Sequence, residues 1–215
     1  MKLSKYIDHT MLKADASIES IKKLCAEAID YDFKSVCVNP CNIALCKELL
    51  KGSDVLICTV IGFPLGQMTI DSKVFEAKDA ILKGAQEVDM VLNIGRLKDH
   101  DLAYVTNEIK QVKQACGNIT LKVIIETCLL TDEDKVNACN CILEAGADFV
   151  KTSTGFSTAG ASFEDVALFK KTVGEKCYIK AAGGVRSHED MLKMIELGAN
   201  RIGTSSGTKL IEKGE

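Results

Sequence analysis

Two lysines offer the most distinctive chemistry in this sequence: Lys151, closing the apolar run of "FVKTSTGFS", and Lys180, inside "YIKAAGG". A lysine drawn into an interior loses hydration, so it is rare there unless paired or put to use. Both runs read as short strands. If the strands are neighbours, their spacing of about 4.8 Å brings the two amines into one pocket. Like charge and desolvation then push a lysine pKa below its usual ~10.4. An amine so depressed attacks carbonyls and forms a Schiff base. Snorkelling of both side chains out to water is the alternative. Asp89, in "EVDMV" with apolar neighbours on both sides, suits ion pairing with such a lysine or acid–base work, and the two roles are compatible.

Residues so placed need a scaffold. Three segments repeat one pattern, a helix closing on glycine followed within a few residues by a strand: "ILKGAQEVDMVLN", "ILEAGADFVKTST" and "MIELGANRIGTSS". Glycine there supplies the left-handed residue that ends a helix cheaply. "AEAIDYDFKSVCV" is a looser fourth copy without the glycine. Strands are expected near "YIDHT", "SVCVN", "ICTVIGF", "EVDMVLN", "LKVIIET", "FVKTST", "YIKAAGG" and "RIGTSS". Helical stretches such as "SIESIKKLCAEAI" and "LAYVTNEIKQVKQAC" lie between most of them. Strand–helix alternation implies right-handed βαβ units and a parallel sheet. Eight strands suggest an α/β fold of the (β/α)8 TIM-barrel type, one domain over residues 1–215. A doubly wound open sheet is the runner-up, lowered by the lack of a G-x-G-x-x-G after the first strand.

In such a barrel the C-terminal strand ends face the active site. Reading those ends gives Asp8, Thr10, Cys37, Asn39, Asp89, Asn93, Glu126, Lys151, Lys180, Ser205 and Ser206. Amine-based carbonyl chemistry suits that set. The turns "AAGGVR" and "GTSSGT" follow the last two strands, where barrel enzymes often bind phosphate. Glycines let backbone N–H groups approach an anion closely.

Composition excludes other classes. The chain has 215 residues, 47% hydrophobic content and a net charge of −3, with no Lys/Arg cluster. That argues against nucleic acid or an anionic membrane as partner. No apolar run reaches the roughly 18 residues of a membrane span. "MKLSKYIDHT" has no signal-peptide core, so a cytoplasmic location is expected. Ten cysteines without a C-x-x-C pair read as reduced core thiols. His9, His100 and His188 are too scattered to suggest a metal site, so no metal is expected.

The motifs "IDHT", "TVIGFPLG", "FVKTSTGF", "IKAAGGVR" and "RIGTSSG" together resemble the deoxyribose-phosphate aldolase family, from residue 7 to about residue 207. The resemblance implies a (β/α)8 barrel. It also implies reversible cleavage of 2-deoxy-D-ribose 5-phosphate to glyceraldehyde 3-phosphate and acetaldehyde, with no cofactor. By the same resemblance Lys151 is the Schiff-base lysine, Lys180 lowers its pKa, and Asp89 works with Lys180 and water in proton transfer. Asp8, Thr10 and Cys37 match positions lining the substrate pocket. Gly155, Gly183, Gly184, Val185, Ser205 and Ser206 match phosphate contacts. Small phosphosugars and aldehydes are then the partners, with a homodimer allowed for. Family members often carry a longer tail ending in a tyrosine that assists proton transfer, whereas no tyrosine follows Tyr178 here. A transaldolase-like enzyme would share the lysine but not both motifs. A phosphate-binding isomerase would need no such lysine, and a non-catalytic phosphosugar-binding barrel could dispense with it.

Overall fold

The computed structural model, which describes residues 2–212 and Gly214, alternates strand and helix from residue 7 to residue 210. The strands are β1 Ile7–Met11, β2 Ser35–Val38, β3 Leu56–Ile61, β4 Glu87–Val91, β5 Thr120–Ile124, β6 Phe149–Lys151, β7 Tyr178–Ala182 and β8 Arg201–Thr204. The α-helices among the described residues are α1 Ile18–Asp30, α2 Ile43–Leu49, α3 Ile70–Lys83, α4 Ile94–Lys98, α5 Leu102–Cys116, α6 Asp132–Ala145, α7 Phe163–Val173, α8 His188–Glu196 and α9 Gly207–Leu210. All strand pairs are parallel, and β8 returns to β1, so the sheet closes into an eight-stranded barrel in sequence order. The expected TIM barrel is therefore the fold, and the open sheet is not.

Local chemistry fixes the helix ends. Helices α1 and α3–α8 each open on a Ser, Thr, Asn or Asp whose side chain accepts a first-turn N–H. After α6 the chain turns on Gly146 at φ 74°, as the repeat leads one to expect. In the looser copy Asp32 takes the left-handed position at φ 57°. Aspartate is among the few side chains that tolerate it, which is why that repeat lacks its glycine.

Helices cover the outer face of the barrel, where residues such as Val36, Val88, Val123, Val150 and Ile179 join one continuous apolar cluster. Inside, the filling differs from the branched aliphatic layers usual in this fold. Leu12, Cys37, Cys58 and Val60 form a small apolar cluster against Phe63. Beside it lies a layer of buried charge. Strand register brings that layer together: Asp89 lies opposite Lys122, Lys151 opposite Lys180, and Lys180 opposite Arg201. Below, the Phe149 ring lies 5.8 Å from both Lys122 Nζ and Arg201 Cζ.

One expected placement is corrected here. Lys151 does close β6, but Asp89 and Lys180 sit in the middle of β4 and β7, not at their ends. Both strands continue past them in register, Met90 and Val91 against β5 and Ala181 and Ala182 against β8. The stagger of a closed barrel sets mid-strand residues level with the end of a neighbouring short strand.

Candidate active site

Asp89 is the hub of the buried layer. Its Oδ2 accepts from Lys151 Nζ at 2.7 Å and from Lys180 Nζ at 2.8 Å. Its Oδ1 accepts from Lys122 Nζ at 2.9 Å. Lys180 Nζ also stands 2.5 Å from Asp8 Oδ2, and Ser35 Oγ donates to Asp8 Oδ1 at 2.7 Å. Arg201 pairs with Asp8 and Glu87, and Lys122 Nζ reaches Glu87 Oε2 at 2.7 Å. Three carboxylates (Asp8, Glu87, Asp89) thus face four cations (Lys122, Lys151, Lys180, Arg201), all buried. With every group ionised the network carries one surplus positive charge.

The surplus does not fall on Lys180. Burial pulls the Lys180 ammonium down, but Asp8 and Asp89 outweigh it and hold its pKa above the ordinary value. The expectation that desolvation and a like charge depress both lysines is corrected for Lys180. Two carboxylates stand between it and its neighbours, and opposite charge at contact range exceeds the desolvation cost. Burial likewise pushes Lys122 down, and Asp89 with Glu87 among its neighbours carries it well above its usual range. Burial raises Asp89, yet Lys122, Lys151 and Lys180 keep it well below the carboxylate range. Asp8 is also lowered, burial being outweighed by Lys180, Arg201 and Lys122. Asp8, Asp89, Lys122 and Lys180 therefore stay charged at neutral pH.

Above this layer opens a cavity of about 680 Å³. Of the seven network residues, Lys151 alone lines it. Thr10 lines it too, its hydroxyl tied to the Asp8 carbonyl at 2.9 Å. Gly155, Gly183, Gly184, Val185, Ser205 and Ser206 lie together along its wall. Asp8 and Cys37 do not reach the wall, contrary to the expected pocket-lining role; both are fully buried beneath it. The reason is stagger once more: Thr10, two residues beyond Asp8 and opposite Cys37 in the ladder, takes the rim position of that corner.

The glycine turns form one unit. Ala161 N–H donates to both Ala182 O (3.1 Å) and Gly183 O (2.9 Å). A Cβ at Gly160 would lie 2.3 Å from the Gly183 carbonyl carbon, so the loop after β6 rests backbone to backbone on the turn after β7. No larger residue fits at Gly160. Lys13 and Arg186 stand at the mouth of the cavity.

Several of these residues escaped the sequence reading: Glu87, Lys122, Arg201, Lys13, Arg186 and Gly160. Lys122 carried the same signal as Lys151, a lysine inside an apolar strand ("LKVII"), and parity with Glu126 on that strand would have turned it inward. Glu87 and Arg201 begin their strands, where charge usually meets solvent, and nothing local marks them.

One group has metal-ligand types at close range: Cys37, Cys58 and Asp89 place donor atoms within 4.8 Å of one another. Lys122 Nζ already holds that spot, 2.9 Å from Asp89 and 3.4 Å from Cys58 Sγ. The donor set is satisfied by an ammonium and does not suit a resident cation. The cysteines are free, and most are buried.

Comparison with known proteins decides the family. The model of the DeoC/LacD family aldolases matches residues 2–211. The chain belongs to the DeoC/LacD aldolase family. This aldolase is 60% identical over 212 residues to the deoxyribose-phosphate aldolase of Finegoldia magna, covering 99% of this chain and 100% of that one. It is 62% identical over 211 residues to the deoxyribose-phosphate aldolase of Brevibacillus brevis, covering 98% and 96%. A tetrameric deoxyribose phosphate aldolase from Aeropyrum pernix superposes with a TM-score of 0.89 at 34% identity, covering 97% of this aldolase and 88% of that chain. No helix among the described residues of the aldolase is long and apolar enough to cross a membrane.

Proposed function

We propose that this aldolase, a lyase, reversibly cleaves 2-deoxy-D-ribose 5-phosphate to D-glyceraldehyde 3-phosphate and acetaldehyde through a Schiff base on Lys151. The observation that carries the assignment is that Lys151 is the one amine of the charged network open to the cavity. The nucleophile in this reading is the free amine of Lys151. That amine attacks C1 of the open-chain sugar, and loss of water gives an iminium. Its positive charge arises where the ammonium was, 2.7 Å from Asp89 Oδ2, a carboxylate already in place for it. A base takes the C3 hydroxyl proton, the C2–C3 bond breaks with its electrons passing to the iminium to give an enamine, and C3 becomes the aldehyde of glyceraldehyde 3-phosphate, which leaves. The enamine left on Lys151 is protonated at C2 and hydrolysed to acetaldehyde. Lys180, a held ammonium 2.8 Å from Asp89, serves that step with Asp89 and water as the proton shuttle.

The phosphate is assigned to Gly155, Gly183, Gly184, Val185, Ser205 and Ser206, the glycine-rich wall of the cavity, with Thr10 at the rim; Asp8 holds Lys180 from below and Cys37 fills the layer beneath. The same reading puts the work in the cytoplasm, because a phosphodianion does not cross a bilayer unaided, and a single domain suffices for it. Assembly as a homodimer is part of the same reading and is checked by light scattering.

The phosphate end has its own test. Charge-assisted hydrogen bonds are worth about 1.5–3 kcal/mol each, so several should favour the phosphorylated sugar by roughly two or more orders of magnitude in kcat/KM. Because that binding is remote from the breaking bond, kcat should also fall for free 2-deoxyribose. Ser205→Glu should repel the dianion and erase the preference while acetaldehyde still forms its iminium. Equal turnover of the two sugars by the unaltered protein would remove the phosphate site.

A further inference from the structure

Glu126 follows β5 and has no part in the reaction as derived above. Its backbone is left-handed, φ 57° and ψ 66°, a conformation that is costly for a non-glycine residue and persists only where surroundings enforce it. Its side chain is buried, with 3% exposure, and among the described residues no lysine, arginine or histidine forms an ion pair with it. A buried carboxyl without a cation is an expensive way to build a loop.

What it touches is the turn after Lys151. Glu126 Oε1 accepts the Thr154 N–H at 3.1 Å, and Oε2 accepts the Thr154 hydroxyl. The Thr154 oxygen in turn accepts the Phe156 N–H at 3.0 Å. The backbone on either side runs the same way: Ile125 N–H donates to Lys151 O at 3.1 Å and Thr127 N–H to Thr152 O at 3.0 Å. Cys128 Sγ lies 3.3 Å from Ser157 Oγ. Residues 125–128 therefore form a template along residues 151–157, and Glu126 is the member whose side chain grips the turn. Between the two residues it anchors lies Gly155, at φ 85° with no other atom near its missing Cβ. Thr154, Gly155 and Phe156 all line the cavity.

We propose that Glu126 is a positioning residue for the phosphate end of the substrate: it fixes the Thr154–Gly155–Phe156 turn, and so the place of the Gly155 peptide at the cavity wall. The proposal rests on the phosphate assignment above. Lys151 is held independently of Glu126, by its own strand ladder and by Asp89, so loss of the carboxyl should act on phosphate recognition before it acts on the amine. The left-handed backbone serves this end, because it turns the side chain of a strand-end residue sideways onto the neighbouring loop.

Glu126→Gly provides the sharpest test, since glycine adopts φ 57° without strain and the gripping side chain is lost with the backbone conformation kept. Glu126→Gln keeps an acceptor for the Thr154 N–H but not the full pair. The readouts are kcat/KM for 2-deoxyribose 5-phosphate and for 2-deoxyribose, the thermal midpoint, and borohydride trapping of acetaldehyde. In Glu126→Gly the ratio of the two kcat/KM values should fall by about tenfold or more, chiefly through KM for the phosphorylated sugar, with trapping at Lys151 retained. Glu126→Gln should lie between this variant and the unaltered protein. If the glycine variant does not fold, the glutamine variant decides by the same ratio. An unchanged ratio, or a parallel loss on both sugars, would overturn the role of Glu126 and leave the phosphate assignment standing. A ratio near one in the unaltered protein would overturn both.

Discussion

Lys151→Ala is expected to lower kcat/KM for the sugar phosphate by roughly four to six orders of magnitude, the scale seen when a covalent nucleophile is removed. The fold should survive. Asp89 keeps Lys122 and Lys180 as partners, and the deleted side chain borders a cavity that water can fill. Lys151→Arg gives the control for charge. It restores the fourth cation but cannot form an imine, so it should be as inactive as the alanine variant. Steady-state kinetics with a thermal midpoint for each protein checks both. More than about one per cent of activity in either, with the fold intact, would mean that the amine of Lys151 is not the nucleophile.

Lys180→Leu should cost roughly two to four orders of magnitude at pH 7, and what remains should rise with pH. The sign follows from the charge count. Without Lys180, three carboxylates meet three cations, and the network is balanced with Lys151 protonated. Lys151 then holds its proton more tightly, and the attacking amine becomes abundant only at higher pH. Lys180 shares Asp89 with Lys151 and meets Asp8 on its other side, so its own charge is held while it faces the Lys151 amine across one carboxylate. The variant also strips Asp8 and Asp89 of one contact each, for which a lower thermal midpoint is expected. A Lys180→Leu protein of full activity and unshifted pH profile would show that the two amines are uncoupled.

Much of this was legible from residues 149–157 and 178–186 alone. Lys151 and Lys180 announced themselves by breaking an apolar pattern, and the glycines after them marked where the backbone must come close. Four of the eight strands stand out because each follows a helix end with recognisable turn chemistry, even where Asp32 stands in for glycine. Depth was harder to read. Asp89 and Lys180 read as strand-end residues because sequence shows where an apolar run stops and not how barrel stagger levels one strand with the next. The sign of the Lys180 shift is hidden from the sequence for the same reason. It depends on Asp8 and Asp89, and Asp8, near the start of the chain, is carried beside Lys180 only when β8 closes on β1. Glu126 could be placed at a strand end, but its grip on Thr154 depends on a backbone conformation that no local pattern in "IIETCLL" reveals.

The most direct measurement is reduction with borohydride in the presence of acetaldehyde, followed by mass mapping of the peptides. Attack by Lys151 should leave an ethyl group on the peptide containing "VKTSTGF" in the unaltered protein. In Lys180→Leu the same adduct should form, slowly at pH 7 and faster as pH rises, and no adduct should form in Lys151→Arg. An ethyl group on Lys180 or Lys122, or no adduct on any lysine, would contradict the assignment of Lys151 as the Schiff-base residue.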